Sequence, residues 1–249
     1  RVDIGSDVGA DGNAGGTAAR LTIEPGAVLF GNSGADYLVI NRGSQIEANG
    51  TAVNPIVMTS QADLERRADN DPSNDDGGSN ISEWGGLVIL GRAPINRCRD
   101  AATPGTAQCE NIVEGVTNGI TMGGVGDGTT VENIQVHNNS DDGVEMFGGT
   151  ANLRNVVLTG NDDDSLDTDN GWQGAVQNLI IVQRADGGDN GVEASSAGNG
   201  VTPLSNASIS NFTIVGNRSN AMRLNTGTVG LYMNGVIDYG QECFRYQDS

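Results

Sequence analysis

The chain has 249 residues, with 13 Arg and no Lys against 32 Asp and Glu, a formal charge of −19 at neutral pH. So acidic a surface repels nucleic acid and anionic lipid and argues against both as partners, while cations and neutral glycans are compatible with it. Glycine at 38 residues and aromatics at 4% indicate turn-rich β structure, and no apolar run reaches the roughly 18 residues that a transmembrane helix needs.

Residues 1–20 are rich in Gly, Ala and Asp (Asp3, Asp7, Asp11) and show no apolar face; they read as a loose or partner-bound segment ahead of the main domain, residues 21–249. Thr22-Ile23-Glu24-Pro25-Gly26 and Val39-Ile40-Asn41-Arg42-Gly43 stand 17 residues apart, each followed by a short apolar strand, Val28 to Phe30 and Ile46 to Ala48. Ile56 to Thr59 reads as a further strand after the turn at Asn54-Pro55. A polar insertion over 61–82 interrupts the pattern, and no amphipathic helix is evident to cover the first coil. Trp84 to Gly91 resumes a buried strand, in which Trp84 reads as core.

A second insertion, 97–110, carries Cys98 and Cys109, which read as a locally closed disulfide of an oxidising compartment. Cys243 falls in a small-residue slot occupied elsewhere by Gly143, Ser165, Gly191 and Ala221, and reads as a packed thiol.

From Val131 onward the chain repeats. Asn133, Asn155, Asn178, Asn211 and Asn234 each interrupt an apolar strand, at intervals of 22, 23, 33 and 23 residues. A second register follows at Asp142-Gly143-Val144-Glu145, Asp164-Ser165-Leu166-Asp167, Asn190-Gly191-Val192-Glu193, Asn220-Ala221-Met222-Arg223 and Glu242-Cys243-Phe244-Arg245. Repetition at such a period marks a stacked architecture, because no single unit buries its own apolar face. The expected fold is an all-β, single-stranded right-handed parallel β-helix.

In that fold equivalent side chains stack at roughly 4.8 Å. The asparagines should then form an internal amide ladder, with Val144, Leu166, Val192, Met222 and Phe244 filling the core. Glu145, Asp167, Glu193, Arg223 and Arg245 should form an outward column that changes from acidic to basic. The last residues, Tyr246 to Ser249, stop in mid-coil, as expected if the native chain continues or another subunit stacks there.

The acidic turns are the candidate site. Asp141, Asp142, Asp162, Asp163, Asp164, Asp167 and Asp169 fall on adjacent coils, and such crowding is relieved by a bound cation or by protonation. Ca²⁺ suits turns rich in carboxylates and backbone carbonyls; a solvated acidic face is the plain alternative. His137, the single histidine, follows a strand without a nucleophile or carboxylate at a recognisable spacing and reads as a surface or turn residue.

Leu21 to Gly26, Pro55 to Ser60, Glu83 to Asn96 and Asp141 to Gly149 resemble a family of secreted or lipid-anchored bacterial β-helix proteins, common in marine Gram-negative organisms, that has no defined activity. That resemblance implies export to the extracellular space or outer cell surface. A second likeness is to polygalacturonase-type glycoside hydrolases: Asn139 to Gly143 is similar to their Asn-Thr-Asp turn, Asn161 to Asp164 to their Asp-Asp pair, and Met222 to Asn225 to their Arg-Ile-Lys strand. It implies Asp142 with Asp163 or Asp164 as acid and base, and Arg223 as a contact for a sugar carboxylate. Asp189-Asn190-Gly191 replaces the Gly-His-Gly turn, and Asn225 the substrate-binding lysine. The function expected from the sequence is accordingly a non-catalytic surface scaffold or adhesin that stacks end to end with copies of itself. The rival is a hydrolase or lyase of acidic glycans.

Overall fold

Short β-branched and apolar runs separated by Gly, Asn and Asp leave the chain nothing to pack against but its own next turn, and the strands are accordingly all paired in parallel. The computed structural model describes residues 1–9, 15–69, 71, 80–98, 117–196 and 198–247. Nine strands form one sheet in the order Val2–Ile4, Tyr37–Ile40, Gly86–Leu90, Ile120–Val125, Val144–Gly149, Leu166–Asp169, Asn190–Ala194, Asn220–Leu224 and Glu242–Tyr246. Five longer strands form a second sheet: Thr130–His137, Asn152–Thr159, Ala175–Val182, Asn206–Gly216 and Val229–Tyr239. Two strand pairs, Arg20–Ile23 with Gln45–Ala48 and Val28–Gly31 with Val57–Ser60, complete the first coils. The architecture is the expected parallel β-helix.

Register follows the repeat. Val144, Leu166, Val192, Met222 and Phe244 are direct partners along the nine-stranded sheet. The first four are buried in the main core, whereas Phe244, on the edge strand, is 51% exposed. Each buried side chain of this size contributes about 1.5–3 kcal/mol relative to exposure. A second, smaller core under the first coils is built on Leu38, Ile40 and Leu87.

The asparagines line up as expected, Nδ2 to Oδ1, from Asn155 to Asn133 at 2.8 Å, Asn178 to Asn155 at 2.7 Å, Asn211 to Asn178 at 3.1 Å and Asn234 to Asn211 at 2.6 Å. The column, however, lies on the outside of the coil. Each asparagine has φ between 54° and 63°, the left-handed region that Asn tolerates. One such residue in mid-strand puts two successive side chains outward, Arg154 and Asn155 for example, so that Leu153 and Val156 both point inward. A regular strand would send those two to opposite faces.

Four other expectations need adjusting. Val2–Ile4 pairs with Tyr37–Ile40 as an edge strand, and the loop behind it is pinned by Asp7, which accepts from Nε and Nη2 of the buried Arg42 at 2.8 Å each. The polar insertion opens with a helix, Gln61–Ala68, whose N-cap Ser60 accepts from Asp63 N at 2.9 Å. No residue of that helix is buried, and Arg66 holds it through two bonds to Glu83. Cys243 is exposed and free, because its strand is the sheet edge. The small slot is real in the inner coils: a Cβ on Gly143 would stand 2.3 Å from Asn161 Nδ2. Trp84 is half-buried, its ring edge leaving no room for a side chain at Gly31, whereas Trp172 is fully buried and donates from Nε1 to Ala151 O at 3.1 Å.

Candidate functional site: an acidic cleft on the nine-stranded sheet

The cleft is built where the turns enter the sheet. Asn118, Asp142, Asp164, Asn190 and Asn220 each stand two residues before a core side chain of the strand, and all five are buried. Their oxygens satisfy the next coil: Asn118 Oδ1 accepts from Asp142 N at 3.2 Å, Asp142 Oδ1 from Asp164 N at 2.9 Å, Asp164 Oδ1 from Asn190 N at 2.7 Å, and Asn190 Oδ1 from Asn220 Nδ2 at 2.8 Å. This is a second ladder, interior to the turn, in which two successive rungs are carboxyls rather than amides.

Beside these rungs runs the expected outward column. Glu145 pairs in register with Asp167, Asp167 with Glu193, Glu193 with Arg223, and Arg223 with Arg245. Ladder and column open onto one cleft of about 340 Å³, lined by Asp141, Asp142, Glu145, Asp163, Asp164, Asp167 and Glu193, with Phe147 and Arg97. Seven carboxyls facing one guanidinium cannot all be ionised at ordinary cost.

Burial, then repulsion from Glu145 and Asp141, drives the Asp142 carboxyl far above the usual carboxylate range. Burial and a hydrogen bond to Glu193 do the same for Asp164. Burial, ahead of the charges of Asp169 and Asp142, raises Asp167 strongly. Glu145 is pushed up to about 8 by burial, against the opposing hydrogen bond from Asn118 Nδ2. Asp163, exposed at the rim, is pushed up to about 6 by partial burial and by Asp141 and Asp189. A carboxyl that is partly protonated near neutral pH is equipped to exchange a proton with a bound ligand.

Three carboxyl triads have oxygens all within 4.8 Å of one another: Asp141, Asp142 and Asp163; Asp142, Glu145 and Asp167; Asp163, Asp164 and Asp189. These could hold a metal ion.

Residues 14–115 and 110–249 match the model of the pectate-lyase-like β-helix domain. The chain belongs to that family. No curated protein and no solved structure matches it. In this chain the cleft lies on the nine-stranded sheet.

Of the aspartates singled out from the sequence, Asp141, Asp142, Asp163, Asp164 and Asp167 line the cleft. Asp162 instead pairs with Arg184, and Asp169 accepts a hydrogen bond from Ser195 Oγ. Arg223 sits one coil beyond the acidic stretch, 3.7 Å from Glu193 and 3.1 Å from Asn225 Oδ1. Glu145, Glu193, Asp189, Asn118 and Arg97 were not grouped with the site. The two glutamates were legible in the outward column, whereas Arg97 comes from a loop without periodicity. His137 is exposed, its Nδ1 2.7 Å from Thr159 Oγ1. The Cys98–Cys109 pairing involves Cys109, which lies outside the described residues.

Proposed function

We propose that the protein acts on a glycan bound in the acidic cleft, as a hydrolase or lyase, with a divalent cation, Ca²⁺, offsetting the carboxylate charge. The observation that carries this reading is the convergence of seven carboxyls from successive coils on one open cleft. A purely structural ladder has no need of them, since its remaining rungs are amides. Asp163 is the group that exchanges a proton with the sugar, being exposed and held at about 6; Asp142 and Asp164 lie close by. Arg223 and Arg245 continue the same column as cations, which suits a glycan bearing carboxylates. The cation, when bound, neutralises the floor of the cleft and favours an anionic ligand there.

Export to the extracellular space or cell surface agrees with the family and with the expected Cys98–Cys109 disulfide; no helix among the described residues is long and apolar enough to cross a membrane. The test is release of reducing or unsaturated ends from pectate, alginate and neutral glycans. Asp163→Asn should lower the rate about 10²–10⁴-fold. No product from any of these, with folded protein, rejects the catalytic reading.

The other reading carried from the sequence is a scaffold or adhesin stacking end to end with its own copies. Electron microscopy of purified protein would decide it, since monodisperse short rods at all Ca²⁺ and salt conditions count against stacking.

A further inference from the structure

We propose that the outer face of the five-stranded sheet docks a second copy of this chain, face to face about a two-fold axis. The inference is independent of the chemistry of the cleft, which lies on the other sheet.

Strand register builds the face from columns. Gln135, Val157, Ile180, Thr213 and Val236 are partners from strand to strand, and so are His137, Thr159, Val182, Val215 and Asp238. Both columns point outward, because the residues between them, Val136, Leu158, Ile181 and Ile214 among them, are buried in the core. Ile180, Val182, Val215 and Val236 are 47%, 41%, 38% and 62% exposed. Ile180 and Val182 stand on Ala175–Val182, the middle strand of the five, at the centre of the face. Aliphatic side chains grouped in this way mark a contact surface, whereas scattered ones do not.

Charge decides what covers it. The outward columns hold Glu132, paired with Arg154 at 2.6 Å, and Asp238, which leaves one net negative charge here on a chain of −19. A basic partner would be drawn to the acidic remainder of the molecule. A neutral face serves a partner that is itself acidic, because two such molecules approach at least cost where neither carries charge. A flat glycan is gripped best by aromatic rings, and no Phe, Tyr or Trp stands in these columns.

The area agrees with a pair. Five strands about 4.8 Å apart, with about eight residues each at about 3.3 Å, present about 600 Å². Pairing two copies then removes about 1,200 Å² from water, the lower end of what specific complexes bury. The Asn ladder adds polar contacts, since Asn155, Asn178 and Asn211 each spend one N–H on the preceding rung and keep the second for the partner.

The experiment is sedimentation equilibrium of the purified chain over a concentration series at low and high NaCl. A monomer–dimer equilibrium is expected, tightening as salt screens the repulsion between two acidic chains. Ile180→Glu and Val182→Glu should each weaken dimerisation at least about tenfold, since two-fold symmetry makes each substitution place two carboxylates in an apolar contact. Val53→Glu, in a loop outside this sheet and at a position 87% exposed, should leave it within about twofold. All three side chains are exposed, and circular dichroism with thermal melts checks that the variants fold. A monomer at every concentration and salt overturns the proposal. So does a dimer indifferent to Ile180→Glu and Val182→Glu, or one weakened as much by Val53→Glu. Retention of a monomeric chain on insoluble cellulose or chitin, abolished by Ile180→Glu, would also overturn it and assign the face to a flat glycan instead.

Discussion

Two side-chain ladders run along this β-helix, and they differ in one respect that matters. On the outside of the five-stranded sheet Asn133, Asn155, Asn178, Asn211 and Asn234 hand one amide hydrogen bond to the next coil, in water and without charge. Inside the turns that enter the nine-stranded sheet, Asn118, Asp142, Asp164, Asn190 and Asn220 do comparable work while buried. An amide column can be extended indefinitely because each rung both donates and accepts. A carboxylate only accepts, and it brings a charge with it. Two carboxyl rungs in the buried ladder, facing the cleft, therefore break the local rule at the place where chemistry is expected.

The widest separation between the two ladders should come from pH. Glu145 and Asp163 have folded-state pKa values raised to about 8 and about 6, and Asp142 and Asp164 are raised further. Between about pH 4, where these groups ionise in the unfolded chain, and those values, the folded protein binds more protons. Stability is then fully present below about pH 4 as far as these groups are concerned, and is lost as pH rises through the folded values. Metal-free protein should lose about 2 kcal/mol or more between pH 5 and pH 8.5, about 4–8 °C in melting temperature. Saturating Ca²⁺ should restore it. A melting temperature flat over that range without metal would show that the buried rungs carry no such burden.

The exposed ladder should respond to shape instead. Asn155 sits at φ 56°, a conformation hostile to β-branched residues. Asn155→Val should cost about 1–3 kcal/mol, through strain and through loss of the bonds to Asn133 and Asn178. Asn155→Gly keeps the backbone and loses only the amide, at about 1 kcal/mol. Denaturant unfolding at pH 5 and pH 8 should give the same two costs; a strong pH dependence would mean the ladders are coupled.

The columns were legible in the sequence because strand pairing in a solenoid is the repeat itself: aligning Val144 with Leu166 aligns everything near them. What the repeat did not reveal was direction. A left-handed residue in mid-strand reverses the face of whatever follows, so the Asn133 column was placed inside when it lies outside. The helix Gln61–Ala68 escaped because it has no apolar stripe; capping and the Arg66–Glu83 pair define it. At the cleft the turn aspartates stood out as a run of like residues. Glu145 and Glu193, a few residues further along the same coils, join them only once turn and strand are folded together. Arg97 arrives from a loop whose position no periodicity encodes.

The smallest effect, and the sharpest on the difference between the ladders, is expected from Asp164→Asn. At pH 5 Asp164 is protonated and nearly isosteric with an amide. Its Oδ1 accepts from Asn190 N and Nδ2 at 2.7 and 2.8 Å, and the carbonyl of an amide can accept both. The bond that Asp164 shares with Glu193 can be replaced by an amide N–H donating to the same carboxylate. Stability at pH 5 should therefore stay within about 0.5 kcal/mol of wild type. At pH 8.5 the variant should be the more stable of the two, since one proton no longer has to be retained on folding. Equal loss at both pH values would mean that the carboxyl is needed for its shape, and the buried ladder would then differ from the exposed one in burial alone.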